Sequence, residues 1–301
     1  MNQKIATYII VLFLYATSSN LLAQLPNTNI MLFDMKVNEV KMILDNPRVI
    51  TGFNLTGYNN QPFFINDQSL LITSDYQAEG LTDIYQLNVN SQSILRISAT
   101  EESEYSPTYL PASDEISMIR QEITDSDEVP QILWKYPISR EHSGELLIDT
   151  YKNIGYHTWI DENKVALFLV GEGVSPHKLI IYNTQSQSEQ FVAYNIGRCF
   201  KYDNNGGLIY LQKIGSSWSF RRFSIDGNVS KLVARALPDS EDFDLLENGD
   251  LISGQDNKLF RYKVGEASSD WEEILDLSKK GVKQITRIAH HKDKIAFVYS
   301  S

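Results

Sequence analysis

Between Asn60 and Thr100 the chain alternates short apolar runs with short polar turns, and much of the remainder repeats that pattern imperfectly. Pro62-Phe63-Phe64-Ile65 is followed by the turn Asn66-Asp67-Gln68-Ser69 and the run Leu70-Leu71-Ile72. Beyond a loop come Ile84-Tyr85-Gln86-Leu87, a turn from Asn88 to Gln92, and Ile94-Leu95-Arg96-Ile97. Runs of this length, rich in β-branched and aromatic residues and bounded by Asn, Asp and Ser, predict four antiparallel strands. One such sheet cannot bury both of its faces, so the pattern requires further copies stacked beside it.

Two spacings support the repeat. The starts of successive second strands, Leu70, Ile116, Val165, Leu208, Leu251 and Ile295, lie 43 to 49 residues apart, close to the length of a propeller blade. The third strand recurs as Leu133-Trp134-Lys135-Tyr136, Leu179-Ile180-Ile181-Tyr182, Phe220-Arg221-Arg222-Phe223 and Leu259-Phe260-Arg261-Tyr262. The two ends of the pattern are complementary. Asn29 to Asp34 and Val40 to Leu44 read as a third and fourth strand with no first or second before them, whereas Gln284 to Ala289 and Ile295 to Tyr299 read as a first and second strand alone. Joined, they complete one blade and leave no open sheet edge at the end of the repeat. The expected fold is therefore all-β, a six-bladed β-propeller in which one blade is closed by N-terminal outer and C-terminal inner strands. Helical periodicity is nearly absent, which disfavours an α/β domain. A two-sheet sandwich does not require complementary ends.

Residues 1–23 stand outside the repeat. Lys4, the apolar stretch Ile5 to Ala16, and a polar segment leading to Leu21-Leu22-Ala23 follow the order of a secretory signal peptide, and the apolar part is short for a bilayer span. Cleavage is expected after Ala23, leaving residues 24–301 as one propeller domain without a transmembrane segment. The 301-residue chain carries a formal charge of −11, and loss of Lys4 makes it −12. No basic footprint remains for nucleic acid. The single cysteine, Cys199, cannot form an internal disulfide, and no cysteine follows the signal to carry a lipid.

The segment Tyr105-Ser106-Pro107-Thr108-Tyr109, followed by Ile116-Ser117-Met118-Ile119, and the pair Ile84-Tyr85 resemble the WD40-like (PD40) repeat of TolB-type periplasmic propellers. In that family a Ser-Pro opens the inner strand and an Ile-Tyr marks the third. The family's Pro-Asp-Gly turn is replaced here by Asn66-Asp67-Gln68-Ser69, by Asp203-Asn204-Asn205-Gly206-Gly207 and by Glu247-Asn248-Gly249-Asp250. The blades begin almost at the cleavage point, so TolB's N-terminal domain has no counterpart and TolB's own partners do not carry over. The resemblance implies a periplasmic or secreted propeller.

In such a ring, the connections between blades and those between second and third strands share one face, and loops rather than strands are free to carry function. Placed there are Ser98 to Ser106, Asp149 to His157, Gly215 to Ser219 and Pro238 to Asp242, rich in acid and in aromatics. The candidate ligand-binding residues are Glu104, Tyr105, Tyr156, His157, Trp218 and Asp242. An acidic rim with aromatic platforms suits a cation, a basic peptide or a sugar, though acidic loops also keep an exported protein soluble. Asp125-Ser126-Asp127-Glu128 clusters oxygen ligands but lacks the glycine and distant glutamate of an EF-hand. His157 alone among the histidines lies near an inner strand, so no convergent metal set is expected. With no Gly-x-Ser-x-Gly elbow and no Gly-rich phosphate loop, no catalytic residue, metal or cofactor is assigned. The expectation is a monomeric, non-catalytic binding or scaffolding propeller of the bacterial envelope that recognises a protein or peptide partner through its loop face. The alternative is a polysaccharide lyase or hydrolase, or a glycan-binding propeller, with its site in the central funnel.

Overall fold

The structure, a computed structural model, describes residues 25–38, 41–78, 80–125, 128–266 and 270–300. The expected signal peptide and its cleavage point after Ala23 lie outside the described residues, as do Val40, Glu79, Ser126, Asp127 and Ser301. The described chain forms six antiparallel sheets of four strands each. Its helical elements are two short 3-10 turns, Gly52–Asn54 and Ser278–Lys280, and no helix among the described residues is long and apolar enough to cross a membrane.

Five sheets use consecutive strands. Their innermost strands are Asn59–Asn66 in blade 1, Ser103–Tyr109 in blade 2, Ile154–Trp159 in blade 3, Ile196–Tyr202 in blade 4 and Phe243–Leu245 in blade 5. Blade 6 has Gln284–His291 innermost, then Lys294–Ser300, then Asn29–Val37 and Met42–Val49. Its two halves meet in an antiparallel ladder running from Asn29 opposite Tyr299 to Asp34 opposite Lys294. The ring is thus closed by backbone hydrogen bonds between the two ends of the repeat, as the complementary half-blades predict.

The second strand of each blade explains why these segments read as unbroken apolar runs. A strand covered on both faces has no polar side to alternate with. Leu70 and Ile72 pack toward blade 6, while Leu71 between them packs toward blade 2. Ala166 and Phe168 likewise join the core shared with blade 4, and Val165, Leu167 and Leu169 the core shared with blade 2. In blade 6, Ile295, Phe297 and Tyr299 face blade 5, whereas Ala296 and Val298 face blade 1. The core is therefore distributed as six clusters, each lying between two neighbouring blades. Polar turns reverse the chain at the rim. In the turn before Leu208, Asp203 accepts hydrogen bonds from the backbone N–H of Asn205 and Gly207, while Asn204 and Gly206 adopt the left-handed conformation these residue types tolerate.

Candidate functional site

The six inner strands surround a central funnel, and five of them, with Asp242 just before the sixth, contribute a side chain from the same point of the repeat. Gln61, Ser106, Tyr156, Arg198, Asp242 and Arg287 all line it, and each stands eight to ten residues before the start of its second strand. Five of the six inner strands carry a register shift there: between Asn60 and Phe63, Tyr105 and Thr108, Ile154 and Tyr156, Ile196 and Phe200, and Ile285 and Arg287. Gln61 and Ser106 have positive φ. A bulge adds one residue, bends the strand and re-aims a side chain. Here it turns polar groups toward the axis, where a regular strand would alternate them into the blade.

Four of these side chains form a continuous charged network. Asp242, only 8% exposed, accepts from Arg287 Nη1 at 2.6 Å through Oδ1, and from Arg198 Nη2 at 2.5 Å and Nε at 3.2 Å through Oδ2. Arg287 Nη2 donates to the Tyr156 hydroxyl at 3.0 Å, and its guanidinium carbon lies 5.0 Å from the Tyr156 ring centre. The network ties blades 3, 4, 5 and 6 together across the axis. Burial opposes the charge of Arg287, but the Asp242 carboxylate and the Tyr156 oxygen outweigh it and hold its pKa above the ordinary value. Nearby, burial raises the Tyr58 phenol, with Arg287 opposing the shift. On the other side of the funnel, Gln61 Oε1 accepts from Thr73 Oγ1 and from the Ser106 backbone N–H, and its Nε2 donates to Ser106 Oγ. Beyond Asp242, Lys201 Nζ lies 3.2 Å from Asp244, which in turn accepts the backbone N–H of His290.

A space of about 150 Å³, open to solvent, lies in the funnel. Beside it, on the face carrying the inter-blade connections, a groove of about 370 Å³ lies between blades 4, 5 and 6. Arg198 and Asp242 line both spaces; Trp218, Asp239, Glu241 and Asp256 line the groove alone.

The residues singled out from the sequence are distributed unevenly around this centre. Tyr156 and Asp242 belong to the network, and Trp218 lines the adjoining groove. Glu104, expected on the loop face, belongs to the inner strand of blade 2 and is fully buried. Strand residues beside an inter-blade seam are enclosed by both neighbours. It accepts from Ser98 Oγ at 3.1 Å, from Arg120 Nε at 3.3 Å and from Thr100 Oγ1. Tyr105 is partly buried against the core between blades 2 and 3. His157 is buried, with Nε2 2.6 Å from Thr108 Oγ1 and 2.7 Å from Ser117 Oγ. Burial brings its pKa down to about 3, so the ring is neutral. Among the described residues no group of His, Cys, Asp and Glu is placed to hold a metal ion. Arg198 and Arg287 are absent from the sequence reading. The signal that marks them is a charged residue at one repeat position inside otherwise uncharged first strands, Ile196-Gly197-Arg198-Cys199-Phe200 and Gln284-Ile285-Thr286-Arg287-Ile288.

A closed ring of six four-stranded sheets around a polar axis defines a six-bladed β-propeller. The fold is shared with TolB propellers. The chain superposes on a putative TolB from Agrobacterium tumefaciens with a TM-score of 0.62 and 12% identity, covering 91% of this chain and 99% of that one. For TolB from Acinetobacter baumannii the TM-score is 0.57 at 9% identity, over 91% of this chain and 64% of that one. A propeller in a nidogen/laminin complex gives 0.63 at 8% identity, over 91% and 99%. Identities this low show the fold alone. No protein-family model and no curated protein sequence matches the chain.

Proposed function

We propose that this chain is a non-catalytic binding propeller, exported through its N-terminal signal to the periplasm or beyond the cell, that recognises a protein or peptide partner with the face carrying its inter-blade connections. The observation that carries this reading is the groove of about 370 Å³ that opens beside the axis and is joined to the charged network through Arg198 and Asp242. It offers a concave surface with an aromatic wall, Trp218, and an acidic border, Asp239, Glu241 and Asp256. Such surfaces gain affinity from desolvated aromatic and arginine anchors and specificity from the charges around them. The structural neighbour in the nidogen/laminin complex is itself found with another protein, and association of that kind is proposed here.

The test is capture from envelope extracts with residues 24–301 as bait. The wild-type protein is expected to retain a partner that the doubly substituted Asp239→Lys, Glu241→Lys protein loses at unchanged melting temperature. Undiminished capture by that variant overturns the assignment of this face. Mass spectrometry of the exported protein is expected to find Gln24 at its N-terminus.

A further inference from the structure

We infer that the funnel is the point of this face that receives a carboxylate, supplied by the partner peptide as its chain terminus or as an acidic side chain. The inference rests on the binding reading above and names the chemistry of its anchor. Three observations converge on it. First, two guanidinium groups, Arg198 and Arg287, share the single carboxylate of Asp242, and Lys201 is matched one-to-one by Asp244. A second carboxylate, that of Glu241, stands 4.0 Å from Arg198 Nε, beyond hydrogen-bonding distance and 41% exposed, so the buried part of the axis holds two guanidiniums on one hydrogen-bonded carboxylate inside a protein whose total is −11. Nη1 of Arg198 makes no hydrogen bond among the described residues, and the side chain remains 35% exposed to both cavities. A planar guanidinium with a free edge is the preferred receptor for a carboxylate.

Second, one of the residues lining the funnel carries a buried polar atom without a partner. His157, 5% exposed, directs Nε2 to the hydroxyls of Thr108 and Ser117 on blade 2, which leaves Nδ1 buried and unpaired. Buried polar groups are ordinarily satisfied, so such an atom calls for a polar guest. Third, the space of about 150 Å³ at the axis admits a group of side-chain size. The acidic groove alongside does not repel such a guest outright. Its carboxylates Asp239 and Glu241 border the approach, Glu241 standing 4.0 Å from Arg198, while the groups at the end of it are the guanidiniums of Arg198 and Arg287, so a carboxylate is accepted only where it reaches the axis.

The experiment follows the arginine Nε–Hε resonances of the full mature protein during titration with propionate, with methylammonium and maltotriose as controls. Saturable shifts of Arg198 and Arg287 with propionate alone are expected. They should be lost in Arg198→Gln, where removal of a part-exposed side chain spares the fold. They should be strengthened in Asp242→Asn, because deleting the competing carboxylate a few ångströms away raises anion affinity by about threefold or more. An acetylated Gly-Ser peptide with a free C-terminus, its amide, and the amide with one internal glutamate then separate the two sources of the carboxylate. Shifts with methylammonium instead of propionate, or propionate binding untouched by Arg198→Gln, overturn the inference. So does tighter binding of a galacturonate oligosaccharide than of either acidic peptide. A partner still captured through Asp239 and Glu241 in any of these cases leaves the binding reading intact and removes only its anchor.

Discussion

Replacing Glu104 by glutamine should change how stability depends on pH, and in a direction opposite to that of an ordinary ion pair. Glu104 has no exposed surface, and Asp83 across the seam between blades 1 and 2 is 1% exposed. The Ser98 hydroxyl lies 3.1 Å from Glu104 Oε2 and 3.2 Å from Asp83 Oδ1. One hydroxyl proton cannot serve both carboxylates, so the pair favours holding a further proton of its own. Burial, reinforced by the charge of Asp83 and opposed by Thr100, Arg120 and Ser98, raises Glu104 from 4.5 to about 7; Asp83 is raised as well, chiefly by burial. The folded chain therefore binds a proton that the unfolded chain releases between these values, and stability falls as pH rises through that window. The full effect is about 3 kcal/mol. Glutamine is neutral at every pH and mimics the protonated form. The Glu104→Gln protein should match the wild type near pH 4.5 and exceed it by up to about 3 kcal/mol at pH 8. Urea unfolding of both proteins across this range, read as the difference between them, cancels the titrating groups remote from Glu104 and leaves the response of Glu104 and the coupled Asp83. A difference that stays constant with pH, or that favours the wild type as pH rises, refutes the reasoning and makes Glu104 a charged partner of Arg120.

Three further outcomes follow from the packing. His157, lowered to about 3 by burial, should show no change in its ring resonances between pH 5 and 8. Its depressed folded-state pKa adds stability that is lost as pH falls below the ordinary histidine value, and a midpoint above 5 contradicts its burial. Phe297, fully buried in blade 6 and stacked 5.6 Å from Phe33 across the seam between the two chain ends, should cost about 4 kcal/mol when replaced by alanine. A loss below about 1 kcal/mol in denaturant titration means that this seam does not hold the ring closed. Arg287→Met should destabilise by about 3 kcal/mol, since it deprives buried Asp242 of one partner. Arg198→Met, at a part-exposed pair, should cost roughly 1 kcal/mol, and equal losses contradict the unequal burial of the two arginines.

The blades were legible because their second strands are buried on both faces. Runs such as Leu70-Leu71-Ile72 and Val165-Ala166-Leu167 cannot carry a polar residue without placing it inside a seam, so the repeat survives in the sequence at nearly constant spacing. Closure was legible for the same reason: Asn29 to Asp34 and Ile295 to Tyr299 are apolar runs whose missing neighbours lie at the other end of the chain. The site was only half legible. Tyr156, Trp218 and Asp242 were named from residue type and an expected loop position, although Tyr156 lies in the inner strand of blade 3 and Trp218 in the strand Ser217–Ser224, and Glu104 was drawn to the surface by its charge. The hydroxyls and guanidinium that allow it to be buried come from Ser98 and Thr100 nearby and from Arg120 on the next strand.

Sequence alone therefore determined the repeat, the number of blades and the manner of closure, since each depends on apolar periodicity along the chain. Tertiary structure decided which polar side chains meet. Arg198, Asp242 and Arg287 are separated by 44 and 45 residues, and only the turn of the ring, with a bulge in the inner strands of blades 4 and 6, brings them within hydrogen-bonding distance at the axis. Strand propensity sets a segment's local conformation, but a contact between blades depends on the ring's curvature, which no single segment encodes.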